Sequence, residues 1–193
     1  INDKLPEPYH GEREKFVTTF CRISRQKNLT MLVQAFADFH KEFSDYRLKI
    51  IGEPQNDDDR THLAEAKELV DKLGITEYID FMPFSAQVHE LVIRDAMYVN
   101  SSDYEGMSNA MLEAMAIGMP VICTDCPIGG ANAVINNNEN GILTQVGNAE
   151  EMYQAMKKIA SDKDFADKLS KNAAEIRNNL SLENTAKKWM ELL

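Results

Sequence analysis

Glu105 and Glu113 are the residues whose type and spacing first suggest chemistry. They lie in SSDYEGMSNAMLEAMAIGMPVICTD, residues 101–125, with seven residues between them across what reads as a loop and the start of a helix. Gly106 gives the loop conformational freedom, and Ser108 or Asn109 can cap the helix by accepting hydrogen bonds from its free amides. Such a helix start offers exposed N–H groups and the positive end of a dipole to an anion. Glu113 stands about two turns in and reaches back along the same side, while Glu105 flanks the mouth. The two would bracket one polyhydroxylated ligand. The plainer alternative makes Glu105 a solvated loop acid and Glu113 a surface helix residue. Against it stands the apolar run around Glu113, from Met107 through Ala110, Met111, Leu112, Ala114, Met115, Ala116 and Ile117. A helix of that kind packs at the centre of a domain, where a carboxylate is costly unless it has a defined partner.

A basic cluster follows the first predicted strand, in CRISRQKNLT, residues 21–30. Arg22, Arg25 and Lys27 stand at a strand's carboxyl end just before a helix. Arginine offers a planar fork for phosphate oxygens and lysine a compact charge, so the cluster suits a diphosphate. A solvated basic loop is the alternative, and it weakens once two anion-suited loops share one sheet edge.

The elements that must position these residues alternate along the chain. Strands are predicted near 16–20, 47–51, 78–81, 96–100, 121–123 and 141–143. Helices are predicted near 29–43, 59–73, 86–93, 107–117, 149–160, 162–178 and 182–192. In the first helix Leu29, Leu32, Val33, Phe36, Phe39 and Phe43 recur at steps of three and four and mark one apolar face. Strands alternating with helices predict an α/β fold: a Rossmann-like three-layer α/β/α domain with a mostly parallel sheet, whose ligands sit at the carboxyl ends of the strands. Residues 1–15, with two prolines, a glycine and many charges, read as a linker or lead-in, so the domain spans 16–193 with order beginning near Phe16.

Composition bounds the partners. The 193 residues are 44% hydrophobic and 27% charged, as in a soluble globular domain large enough to bury a core without disulfide or metal. The net charge of −10 counts against nucleic acid and against an anionic membrane surface, while leaving room for a local anion site. No apolar run approaches the roughly 20 residues that span a bilayer, and the start lacks a signal-peptide pattern, so the expected location is cytoplasmic. Cys123 and Cys126 form a C-x-x-C without a second Cys or His pair to complete a zinc site, and read as an inert pair at a strand end. His10, His40, His62 and His89 show no ligand spacing and are expected at the surface.

Taken together, FCRISRQKN after a strand, KIIGE, SSDYEGMSNAMLEAMAIGMPVI, then GG and NGIL resemble the carboxyl-terminal domain of the family 4 (group 1) retaining glycosyltransferases of GT-B fold, over roughly residues 16–193. The long element is highly specific; the basic loop and glycine pairs alone are not. The resemblance implies a nucleotide-sugar donor held between two Rossmann-like domains, this one carrying most of it. Arg22 and Lys27 would bind the donor diphosphate. Gly106, Met107, Ser108 and Asn109 would add phosphate or sugar contacts. Glu113 would accept hydrogen bonds from the ribose hydroxyls, and Glu105 would face the transferred sugar as the catalytic group. Phe84, beside Pro83, would lie against the base.

No cofactor is implied and no metal: Asp57 and Asp59 make a formal D-x-D, but in a triple-Asp polar loop. Ala133 stands where the family often has an acid, and Pro83 where glycine is common. A whole enzyme of this kind needs a preceding domain of comparable size for the acceptor, against which the helix near 182–192 would pack. Transfer would serve polysaccharide or glycoconjugate synthesis, with any membrane contact made peripherally through that other part. Two readings stay open beside this one: a non-catalytic module that keeps the fold for protein contacts, and a sugar-nucleotide epimerase of related fold. The first would be expected to lose part of the set Arg22, Lys27, Glu105 and Glu113; the second would use a different pattern of acids.

Overall fold

In the computed structural model, which describes residues 4–181 together with Asn184 and Met190, strands and helices alternate as the patterning demands. The strands are β1 (Glu14–Phe20), β2 (Arg47–Ile51), β3 (Ile79–Met82), β4 (Asp95–Asn100), β5 (Val121–Thr124) and β6 (Ile142–Thr144). The helices are α1 (Leu29–Glu42), α2 (Asp57–Leu73), α3 (Val88–Val92), α4 (Asn109–Ala116), α5 (Ala149–Ser161), α6 (Lys163–Ala174) and α7 (Ile176–Asn179). All six strands are parallel, in the order β3-β2-β1-β4-β5-β6. Short polar side chains set where the longer helices begin. Asn28, Asn56, Ser108, Asn148 and Asp162 each accept a hydrogen bond from the amide three residues on.

Side chains of successive strand residues point to opposite faces, so the sheet divides the interior into two cores. Val17, Leu48, Ile50, Met97, Val99 and Ile122 join Phe36 and Phe39 of α1 and Met152 and Met156 of α5 in one. Phe20, Ile51, Tyr98, Val121 and Cys123 join Val92 of α3 and Met111 and Met115 of α4 in the other. Truncating a fully buried ring such as Phe36 to alanine costs about 3–5 kcal/mol. The apolar stripe read on α1 is the face that closes the first core.

Several boundaries differ from the sequence reading, each for a physical reason. Order begins before Phe16: β1 starts at Glu14, Leu5 is buried in the second core, and the Tyr9 amide donates to the Ile117 carbonyl at 3.1 Å. The Arg13 guanidinium fastens this lead-in by donating to the carbonyls of Tyr9, Ile93, Asp95 and Gly118 and to Ser170 Oγ. Asp57, Asp58 and Asp59 form the first turn of α2, where carboxylates favour the positive end of the helix dipole. Asp59 is buried and accepts from the Gln55 amide at 3.1 Å. Of the four histidines only His10 is exposed. His62 is buried and accepts from the Leu29 amide at 3.2 Å, and His40 is buried with Nδ1 3.1 Å from the Tyr46 carbonyl. The helix expected over 162–178 breaks at Glu175 into α6 and α7, and the one expected near 182–192 falls largely outside the described residues.

Candidate functional site

The strand order reverses about β1: the chain steps outward to β2 and β3, then returns to place β4 on the other side of β1. Loops leaving the carboxyl ends of two such neighbours diverge to opposite faces and leave a crevice between them. Here those loops are residues 21–28 after β1 and 101–108 after β4, the two segments singled out by residue type. They are tied together. The Asp103 amide donates to the Gln26 carbonyl at 2.9 Å, and the Gln26 amide side chain donates to the Tyr104 carbonyl at 2.7 Å. The Ser101 hydroxyl donates to the Lys27 carbonyl at 2.7 Å, and Asn28 Nδ2 donates to Asp103 at 2.6 Å. Asn28 adopts a left-handed backbone conformation, φ 44°, that this residue type tolerates, and its side-chain oxygen caps α1.

Two adjoining cavities occupy the crevice. One, of about 530 Å³, is bounded by Phe20, Arg22, Glu53, Phe84, Asn109 and Glu113 among others. The other, of about 310 Å³, is bounded by Arg22, Lys27, Glu105, Met107, Ser108 and Asn109. Cys21, Arg22, Asn109 and Ala110 line both, so the two form one continuous cleft. Every residue given a donor contact from sequence lines it except Gly106, and Arg25 of the basic cluster does not line it either. Arg25 turns away to Asp58 and Glu65. Gly106 meets the neighbouring loop instead: a Cβ on Gly130 would come within 1.8 Å of the Gly106 carbonyl oxygen, so the backbone of the loop after β5 braces the loop after β4. Gly52 does the same on the other flank, with φ 153° and the Cys21 carbonyl 1.9 Å from where a Cβ would stand.

The charges in the cleft are unequally engaged. Lys27 and Glu105 form an ion pair, with both side chains mostly covered. Arg22 is exposed and makes no ion pair among the described residues. Ser108 caps α4 by accepting from the Met111 amide at 3.4 Å, and the amides of the first turn beyond it have no partner within the helix. An anion entering here meets an open guanidinium, a helix N-terminus and a lysine shared with a carboxylate.

Glu113 has the partner that its apolar helix demanded, and it is a histidine. His89 Nε2 lies 3.0 Å from Glu113 Oε2, and the imidazole edge packs at 88° on the Phe20 ring with centroids 5.9 Å apart. Phe20 in turn rests on the buried Tyr98 ring, whose hydroxyl is held well above its usual range by burial. Sequence reasoning assigned His89 to the surface. The signal that could have found it was the unpaired carboxylate on α4, together with a histidine in the short helix after β3. Burial also pushes the Cys21 thiol up to about 11. Cys123 and Cys126 are free thiols, and among the described residues no three His, Cys, Asp or Glu side chains gather as a metal site.

The sequence matches the family of glycosyl transferases group 1 over residues 2–176. A Campylobacter jejuni N-acetylgalactosamine-N,N'-diacetylbacillosaminyl-diphospho-undecaprenol 4-alpha-N-acetylgalactosaminyltransferase is 28% identical over 86% of this chain and 42% of its own length. A Staphylococcus aureus poly(ribitol-phosphate) alpha-N-acetylglucosaminyltransferase is 26% identical over 96% of this chain and 36% of its own. The chain thus spans half or less of the length of these relatives. Among solved structures, S. aureus TarM in complex with fondaparinux, alpha-GlcNAc-glycerol and UDP superposes with a TM-score of 0.85 at 20% identity, over 98% of this chain and 37% of that one. Anabaena HepE in complex with UDP gives 0.82 at 22% identity, over 94% and 50%. The C-terminal domain of a Francisella tularensis group 1 glycosyl transferase, solved alone, gives 0.80 at 23%, over 93% and 97%.

Proposed function

Since the chain belongs to the group 1 glycosyl transferases, we propose that it is the donor-binding domain of a retaining enzyme that moves a sugar from a nucleoside diphosphate sugar to an acceptor. One observation carries the reading: Arg22, Lys27, the start of α4 and the two glutamates surround a single cleft at the point where the strand order reverses. Departure of a nucleoside diphosphate leaves negative charge on the leaving group. Arg22 and the free amides of α4 are open to stabilise it, and Lys27 can add its charge once shared with or released from Glu105, in the role a metal ion would otherwise serve. Met107, Ser108 and Asn109 contact the phosphates or sugar in this reading. Glu113 accepts from the ribose hydroxyls, and Phe84, 68% exposed at the far rim, offers a ring for the base. Glu105 faces the transferred sugar and stabilises the positive charge that builds at its anomeric carbon.

The acceptor would be held by a second domain of the same protein, without which this chain binds donor but does not transfer. The reaction would serve polysaccharide or glycoconjugate assembly in the cytoplasm, with any membrane contact made peripherally by the other domain. No described helix is long and apolar enough to cross a membrane.

Titration calorimetry with a panel of UDP-, GDP- and ADP-sugars tests the reading. At least one is expected to bind at millimolar concentration or better. Silence across the panel would overturn the assignment and favour a module that keeps the fold for protein contacts.

A further inference from the structure

A glutamate has three free torsions, so Glu113 must be held in place to meet a ligand. We infer that His89 is a positioning residue that fixes one oxygen of Glu113 and leaves the other for a vicinal pair of sugar hydroxyls, so that recognition of the ribose depends on a side chain that does not itself touch the ligand. The inference rests on the donor-site reading.

The geometry supplies each part. A carboxylate only accepts hydrogen bonds, so at 3.0 Å from Glu113 Oε2 it is Nε2 of His89 that carries the proton and donates. No other hydrogen bond engages the Glu113 side chain among the described residues, which leaves Oε1 uncommitted on a side chain that lines the larger cavity. His89 lies behind that lining, while its neighbour Val88 reaches it. Its ring is held by the edge contact with Phe20, which leans on Tyr98, 1% exposed. His89 and Glu113 come from different helices, α3 and α4, so their bond also ties α3 to α4. Freezing a free glutamate costs rotamer entropy when a ligand binds. A partner that freezes it beforehand removes part of that cost from the binding step.

The test compares ribose with dideoxyribose. Calorimetry on the chain with UDP, GDP and ADP and with the 2′,3′-dideoxy form of each gives a ribose preference for the wild type. His89→Phe keeps a ring against Phe20 and removes the donor. It is expected to shrink that preference about three- to tenfold, the worth of one ordinary hydrogen bond, with affinity for the dideoxy forms unchanged. His89→Gln, which keeps an N–H donor, is expected to restore part of the preference. Combining His89→Phe with Glu113→Gln is expected to add little beyond Glu113→Gln alone. A purely structural role would weaken ribose and dideoxy forms alike and lower the melting temperature, and that result overturns the inference. So does an unchanged preference in His89→Phe, or a wild type that binds nucleotides without any preference. If His89→Phe does not fold, His89→Asn, too short to reach Glu113, carries the same comparison. A wild type that binds none of the six nucleotides overturns the donor-site reading itself, which keeps the two failures distinguishable.

Discussion

Lys27 and Glu105, 78 positions apart in the chain, meet as an ion pair whose side chains are only 13% and 19% exposed. Arg22, five residues before Lys27, makes no such pair among the described residues. The cleft therefore holds one cation already neutralised and one open, and an incoming diphosphate must draw Lys27 away from Glu105 or share it.

Arg22→Ala and Lys27→Ala should each weaken donor binding by about 1–3 kcal/mol, as for loss of a charge-assisted hydrogen bond. They should differ in stability. Arg22→Ala removes an exposed, unpaired group and should leave the unfolding midpoint in place. Lys27→Ala strands a largely covered carboxylate and should cost about 1–2 kcal/mol, below the range for fully buried pairs. Calorimetry and urea unfolding measure the two effects. Binding changes under a few tenths of a kcal/mol in both variants would remove the phosphate assignment.

Gly130→Ala puts a methyl group where the Gly106 carbonyl oxygen now lies. Backbone meets backbone there, so the loop after β4 must move. Donor affinity should fall at least tenfold while the sheet, and most of the stability, remain. A crystal structure of the variant should show the peptide between Gly106 and Met107 displaced. Gly129→Ala, a neighbour with open space around it but a left-handed φ of 76°, separates the effect of contact from that of backbone strain.

How far the residues alone revealed this arrangement depends on how local each signal is. The stripe on α1, Leu29 to Phe43, and the loop-helix segment from Ser101 are written in short-range spacing, and the parallel sheet followed from their alternation. The clustering of Arg22, Lys27, Glu105 and Glu113 at one edge was legible because the carboxyl ends of parallel strands share that edge. His89 was missed because its signal is not local: the unpaired carboxylate that marks it stands 24 residues away on another helix. The lead-in failed for the same reason. Arg13 looks like one more charge in a polar stretch, and only the folded chain shows the five acceptors that it satisfies.

Arg13→Met should therefore destabilise the domain although Arg13 lies outside the cleft. It takes a donor from the carbonyls of the lead-in and the α3–β4 connection, while Gly118 keeps its hydrogen bond from the Ser170 hydroxyl. Burial already pulls the guanidinium down to about 10, still charged at neutral pH. The loss should be about 2–4 kcal/mol by urea unfolding, with donor affinity little changed at temperatures where the variant is folded. A midpoint equal to that of wild type would show the lead-in to be an independent appendage.

Stability should also fall in alkali through the thiols. Burial raises Cys21 from 9.0 to about 11 and raises Cys123 and Cys126 as well. The folded chain keeps these protons at a pH where the unfolded chain releases them. Their contribution is thus fully present below about pH 9 and is lost as pH climbs toward 11 and beyond. Tyrosines and lysines titrate nearby, so the measurement is the stability difference between wild type and Cys21→Ala. That difference should shrink between pH 8 and pH 10.5. A constant difference would count against the buried thiol.

The hydrogen bonds that join the two cleft loops connect residues 74 to 78 positions apart. At ordinary rates of synthesis that interval is about 4–16 s. During it, β1 and β2 can pair around α1, yet the other edge of β1 stays open until β4 has been made. An open edge strand is a template for pairing with other chains. The strand order that brings Lys27 to Glu105 therefore also sets a period in which the nascent chain carries the first half of its binding loop beside an unprotected strand edge, and a delay in translation between residues 28 and 100 would lengthen it.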